Sequence, residues 1–378
     1  AQAEYRSALA ESLLCEGKIA EAVSLRRQVE QALHADNTAA GAGAALDLAR
    51  AQLAQRDLAG AELVARRAAT LYAQVWGPHH PLTLTAELTV AEAELQSPAS
   101  SAAAGAAIER VLTAVGDRKE PDAVRARALM LQGRLAEARG QRDDALLKIQ
   151  RAAQEYEAAL GGAHPDLAGA LLIAGDLLLD AGKNQEAEAN YRQVAAIFDT
   201  LGQSESARLA HARAGIQLAR WGGKPPADAD DTLHWGLAPT GDAIDPAVAG
   251  WLAEQLGRRA AARGEQAAAL AQYRAAAAAW RQSGDQRGLA SAVTQCALLA
   301  AELHDPDARQ LLEEALQITG SATVVDKPRM QGALAKLLWP AQRDRARALM
   351  RAALADLPDT SADAVDLKYW LKRHEAER

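Results

Sequence analysis

Residues 164–202 read HPDLAGALLIAGDLLLDAGKNQEAEANYRQVAAIFDTLG, and this stretch decides the fold. Small and apolar residues recur at helical spacing at Leu171, Ala174, Gly175 and Leu178. The pattern stops at Ala181-Gly182-Lys183-Asn184 and resumes at Ala187, Tyr191 and Val194. Two short amphipathic helices joined by a tight turn account for it.

The rest of the chain is variations on this unit. A small residue follows each turn, where the second helix packs on the first: Ala22, Ala61, Ala145, Ala187, Ala269, Ala308 and Ala346. Their spacings are 39, 84, 42, 82, 39 and 38 residues, so each long gap hides one degenerate unit and nine units are expected. A chain of 378 residues is too long for one compact core. A repeat array escapes that limit, because each unit packs only on its neighbours. Composition agrees: 49% of residues are hydrophobic but only 4% are aromatic, and alanine supplies the difference. Alanine loses no side-chain entropy in a helix.

Gly133/Ala136/Ala145, Gly175/Leu178/Ala187/Tyr191 and Leu256-Gly257/Ala260/Ala269/Tyr273 carry a family resemblance. The pattern resembles tetratricopeptide (TPR) repeats, whose signature sets small or apolar residues at fixed places in a helix-turn-helix. Trp76-Gly77-Pro78-His79-His80-Pro81 and Gly161-Gly162-Ala163-His164-Pro165 resemble the G-x-x-H-P linkers of kinesin-light-chain-like units. The resemblance covers nearly the whole chain. It implies an all-α, right-handed α-solenoid of about nine units with a C-terminal capping helix. It implies little about function.

Unit by unit, the first spans residues 2–36 and the second 38–77, whose turn at Gln55-Arg56-Asp57 lacks the usual glycine. The third is weak, with helices over 82–95 and 102–115 and a turn at Gln96-Ser97-Pro98. Asp122 is the expected N-cap of the fourth. The sixth offers only a first helix, 207–220. Trp221 to Asp245 then runs through Gly222, Gly223, Pro225, Pro226, Gly236, Pro239 and Gly241, leaving room for at most one short helix over 228–235. Asp245-Pro246 restarts a helix as N-cap and first residue. The expected organisation is an N-terminal array over 1–221, an irregular insertion over 222–245, and a C-terminal array with its cap over 246–378.

A formal net charge of −7 speaks against nucleic acid as the main partner, since phosphate contact needs a basic face. Cys15 and Cys296 lie in distant units, and two cysteines cannot build a zinc site unaided. No charge-free apolar run is long enough to cross a bilayer. The chain starts at Ala1 without Met and without a signal-peptide pattern, which reads as a processed protein or a piece of a longer one. The compartment stays open between cytoplasm and periplasm.

No phosphate loop, H-E-x-x-H, G-x-S-x-G or kinase motif is present, and no catalytic residue or cofactor is expected. His79, His80 and His164 precede first helices, where x-His-Pro makes a turn and caps the helix rather than ligating metal. Asp228, Asp230, Asp231 and His234 match no calcium loop and read as a solvated acidic segment, with Trp221 and Trp235 pinning it to the array.

The TPR resemblance implies that first helices line a concave groove. Projecting the units onto one another places Arg127, Met130, Arg134 and Glu137 there from unit four, and Leu172, Asp176 and Asp180 from unit five. Arg220 comes from unit six, and Trp251, Glu254 and Arg258 from unit seven. Asp176 and Asp180 are expected to face the unit-four arginines. Such a groove suits an extended peptide or a partner's helix. It holds no Lys and no Asn, unlike chaperone-cofactor arrays that clamp a C-terminal carboxylate, so an acidic terminus would have to be met by Arg. The expected function is a non-catalytic interaction or sensor module of a bacterial signalling protein. Ala/Arg-rich arrays of this kind look like C-terminal extensions of bacterial serine/threonine kinases. A stand-alone adaptor or homodimerisation module, and the ligand-sensing arm of a transcription regulator, are the alternatives.

Overall fold

The computed structural model describes residues 2–15, 18–34, 38–96, 101–116, 120–203, 206–222, 245–319, 326–358 and 360–375. Among these residues it contains eighteen helices and no strand. No helix among them is long and apolar enough to cross a membrane. The chain divides into two compact units, Ala1–Asp242 and Ala243–Arg378. The expected short helix over 228–235, with Trp235 and the acidic segment, lies outside the described residues.

The first unit contains α1 (Gln2–Cys15), α2 (Ile19–Leu33), α3 (Ala39–Ala54), α4 (Leu58–Trp76), α5 (Pro81–Gln96), α6 (Ser101–Val115), α7 (Ala123–Ala138), α8 (Arg142–Leu160), α9 (Pro165–Asp180), α10 (Asn184–Thr200) and α11 (Ala207–Trp221). The helices pack in chain order as antiparallel pairs, and the first helices also touch one another: α3 on α5, α5 on α7, α9 on α11. The first helices are therefore the inner layer. Burial says the same, since α9 buries ten of its 16 residues and α10 only five of 17.

The second unit contains α12 (Pro246–Ala262), α13 (Gln266–Ser283), α14 (Gln286–Glu302), α15 (Ala308–Thr319), α16 (Lys327–Leu338), α17 (Arg343–Asp356) and α18 (Ala362–Glu375). Here too α12 touches α14, and α14 touches α16. Helix α18 closes the apolar end. Leu367 fills the space over Gly332, where an added Cβ would stand 2.7 Å from its Cδ2. Trp370 sets its edge on Trp339 at 5.2 Å between centroids.

Local chemistry explains the punctuation. Asp122 and Asp245 accept backbone N–H bonds at 2.7 and 2.8 Å, from Val124 and Ala247, as caps. His80 and His164 cap with Nδ1, which accepts the N–H of Leu82 at 3.3 Å and of Asp166 at 3.1 Å. Turns inside units share one geometry. Gly140, Gly182 and Gly264 have φ of 75°, 74° and 77°, in the left-handed region glycine favours. Arg56 and His304 hold the same place with φ of 65° and 54°. Each turn closes with a backbone bond from the residue after it, as from Lys183 to Leu178 at 2.9 Å and from Asp305 to Ala300 at 2.9 Å.

Close packing of the pairs rests on glycines facing large rings. Tyr191 lies between Gly175 on α9 and Gly215 on α11, where a Cβ would come within 2.7 and 2.6 Å of the ring. Trp280, two turns beyond the Tyr273 that matches Tyr191, likewise lies between Gly250 on α12 and Gly288 on α14, at 2.6 and 2.5 Å. The second-helix ring thus wedges between two first helices and spaces them.

Candidate ligand groove

The first helices of the N-terminal unit carry a strip of alternating charge. Arg50 on α3, Glu92 on α5, Arg134 on α7 and Asp176 on α9 are spaced 42 residues apart, one per repeat. Each directly follows a small residue: Ala49, Ala91, Gly133 and Gly175. Glu11 holds the same place in α1, after Ala10. A helical array with a constant repeat stacks equivalent positions into a row, so these side chains share the inner face.

Glu92 is the centre of the strip. Its carboxylate accepts from Arg127 Nη2 at 2.7 Å and lies 3.8 Å from Arg134 Nη1. Burial works to raise the Glu92 carboxyl. Arg127, then Arg134 and Arg208, outweigh it and hold the group below the usual carboxylate range. Tyr156 belongs to the same neighbourhood: burial raises its phenol first, and Asp166, Arg127 and Glu92 all act on it. Arg50 is open to solvent, yet the surrounding protein disfavours its charge, first by desolvation and then through Arg127. Arg50 is thus exposed and yet flanked by other protein groups.

Asp176 turns the other way from expectation. It accepts the Tyr191 hydroxyl at 2.7 Å and lies 2.9 Å from His211 Nε2. The unit-four arginines pair with Glu92 of unit three instead. The physical reason is that Tyr191, wedged beneath the strip, presents its only polar atom at Asp176, and a buried hydroxyl needs a partner.

The other expected groove residues are distributed as follows. Met130 is half-buried against the core cluster that contains Ala136, Ala145, Ile149, Ala174 and Leu177, and Leu172 is buried. Glu137 and Asp180 are exposed at the ends of α7 and α9. Arg220 donates to Glu188 on α10 at 2.6 Å, so it joins a second helix rather than the strip. Trp251, Glu254 and Arg258 lie in the C-terminal unit and form their own cluster. There Glu254 is buried and accepts from Arg258 at 2.9 Å and from Ser291 Oγ at 2.7 Å, while Trp251 is buried beside it on α12.

Arg50, Glu92, Arg208 and His211 were not among the expected groove residues. The signal for the first two is the 42-residue register itself. Carried back from Arg134 and Asp176, it lands on Glu92 and Arg50. His211 has no such signal, because its partner is set by packing between units.

Among the described residues, no group of three or more His, Cys, Asp or Glu could hold a metal ion. Cys296 is buried, and burial pushes its thiol up, away from the reactive thiolate.

The class that these observations define is a TPR-like α-solenoid. No protein-family model matches the sequence, and no curated protein matches it. Among solved structures, the apo form of RapI superposes with a TM-score of 0.53 at 14% identity, over 74% of this chain and 98% of that one. A Rap protein complexed with Competence and Sporulation Factor gives 0.56 at 10% identity, over 90% of this chain and 99% of that one. At these identities the likeness is one of fold.

Proposed function

We propose that this chain is a non-catalytic binding module whose first-helix face takes an extended peptide or a partner's segment. The observation that carries the reading is the charged strip Arg50–Glu92–Arg134–Asp176. It gives one guanidinium or carboxylate per repeat on an inner face, which suits a ligand laid across successive helices. The Rap protein that shares the fold was solved with Competence and Sporulation Factor bound, which supports a ligand-taking role for such an array.

The finer reading is a sensor or recruitment region of a bacterial signalling protein, such as the array that follows a serine/threonine kinase. The protein-coding frame that contains residue 1 tests it: an upstream kinase or other effector supports it, and a gene encoding this array alone overturns it.

Binding is tested by selecting peptides from a display library on the full chain. Selected peptides should bind the double variant Glu137→Arg, Asp180→Arg with affinity changed at least tenfold, tighter for acidic peptides and weaker for basic ones, because both carboxylates are exposed and the groove reading sets them on the ligand face. Equal affinity for the variant, or no enrichment at all, would count against the groove.

A further inference from the structure

Arg50 is the one member of the strip without a directly bonded partner among the described residues. Its neighbours in the row are engaged: Glu11 with Arg26 at 2.7 Å, and Glu92 with Arg127 at 2.7 Å and Arg134 at 3.8 Å. Asp47, one turn back on α3, is held by Arg26 at 2.9 Å. Among the described residues Arg50 has no hydrogen bond and no ion pair, although Asp47 and Asp166 favour its charge from farther away. Arg208 on α11 is also exposed. Its one polar partner among the described residues is the Pro165 carbonyl at 3.2 Å, and its charge reaches Glu92.

Three guanidinium groups, from Arg127, Arg134 and Arg208, therefore act on the one Glu92 carboxylate, and Arg50 stands near enough to Arg127 for the two charges to repel. Two of them spend their charge on Glu92. Neighbouring positive charges favour an incoming anion, and a planar guanidinium takes a carboxylate through two parallel bonds. The protein as a whole carries a net charge of −7, so this is a local field and unsuited to a nucleic-acid backbone.

We propose that Arg50, reinforced by Arg127 and Arg208, is the anion anchor of the groove and receives a carboxylate of an acidic peptide. The inference rests on the groove reading above and adds the chemistry of the ligand. The carboxylate comes from an acidic side chain or from a C-terminus.

Calorimetric titration of the full chain separates the two sources. The probes are hexaglutamate blocked at both ends, hexaglutamine with a free C-terminal carboxylate, and hexaglutamine blocked at both ends. At least one anionic probe should bind, with affinity falling as salt rises, and the blocked hexaglutamine should not. Arg50→Gln should weaken the anionic probe about tenfold, the loss of one charged hydrogen-bonding partner. Arg50→Lys should weaken it less, and Arg208→Gln should weaken it independently. The thermal midpoint of Arg50→Gln should be no lower than that of the parent, since the side chain has no partner to lose. Binding of blocked hexaglutamine as tight as the anionic probes, or an Arg50→Gln variant that binds them unchanged, overturns the anchor. If display-selected peptides bind while neither anionic probe does, the anchor is wrong and the groove survives. If the selected peptides fail as well, the groove reading falls with it.

Discussion

The Tyr191 hydroxyl on α10 donates to the Asp176 carboxylate on α9 at 2.7 Å, and this bond joins the packing of the array to its inner face. The ring below it occupies the space that Gly175 and Gly215 leave open. Spacing between two first helices and placement of the Asp176 carboxylate thus depend on one side chain.

Gly175→Ala and Gly215→Ala should each destabilise the N-terminal unit by about 1–3 kcal/mol, the cost of overpacking, despite alanine's better helix propensity. Tyr191→Phe keeps the ring and should cost only about 1 kcal/mol, for one lost hydrogen bond. Chemical denaturation of each variant checks the order. A Tyr191→Phe variant less stable than Gly215→Ala would contradict it.

His304 adopts a left-handed φ of 54° at a turn place held elsewhere by glycine. His304→Gly should therefore stabilise the C-terminal unit by about 1 kcal/mol, because a Cβ in that region is strained. Gly182→Ala, which puts a Cβ into the matching turn, should destabilise by about the same amount. Thermal or urea unfolding shows both signs.

Glu92 is held below the usual carboxylate range by Arg127, Arg134 and Arg208 against the opposing pull of burial. A carboxyl lowered on folding contributes stability above its unfolded pKa and loses it as pH falls through the folded one. The parent should thus lose stability relative to Glu92→Gln on acidification below the ordinary carboxylate range, and the gap between them should be widest near neutrality. Near pH 7 Glu92→Gln should cost about 2–4 kcal/mol, since it leaves Arg127 partly buried without its anion. A gap that stays constant with pH would show that Glu92 titrates normally.

Leu367 and Tyr369 lie two residues apart on α18, with Leu367 5% and Tyr369 68% exposed. Leu367→Ala should cost about 2–4 kcal/mol by opening a cavity against Gly332 and the α16 core. Tyr369→Ala should fall within about 0.5 kcal/mol of the parent. Equal effects would mean that α18 does not cap the array.

The array is legible in the sequence because its physics is local. The small residues at Gly133, Gly175 and Ala187 mark where helices must approach, and Asp122, His164 and Asp245 mark where they start. Even the turn at Arg56, which lacks glycine, keeps the geometry, because the backbone bond from Asp57 to Gln52 at 2.9 Å holds it. The candidate groove is legible only as a helix face. The repeat register sets Arg134 and Asp176 at matching positions, but it does not give their partners, because pairing between units depends on how far each helix is displaced along its neighbour. Arg127 and Arg134 reach back to Glu92 rather than forward to Asp176, and Arg220 reaches out to Glu188 on α10. Both are consequences of stacking that no single repeat encodes.

The central claim is that ligands lie along the inner face of the N-terminal unit. Hydrogen–deuterium exchange of the full chain, with and without a display-selected peptide, tests it most directly. Added protection should fall on α3, α5, α7 and α9 and leave α4, α8 and α10 unchanged. Protection confined to those second helices would contradict the claim.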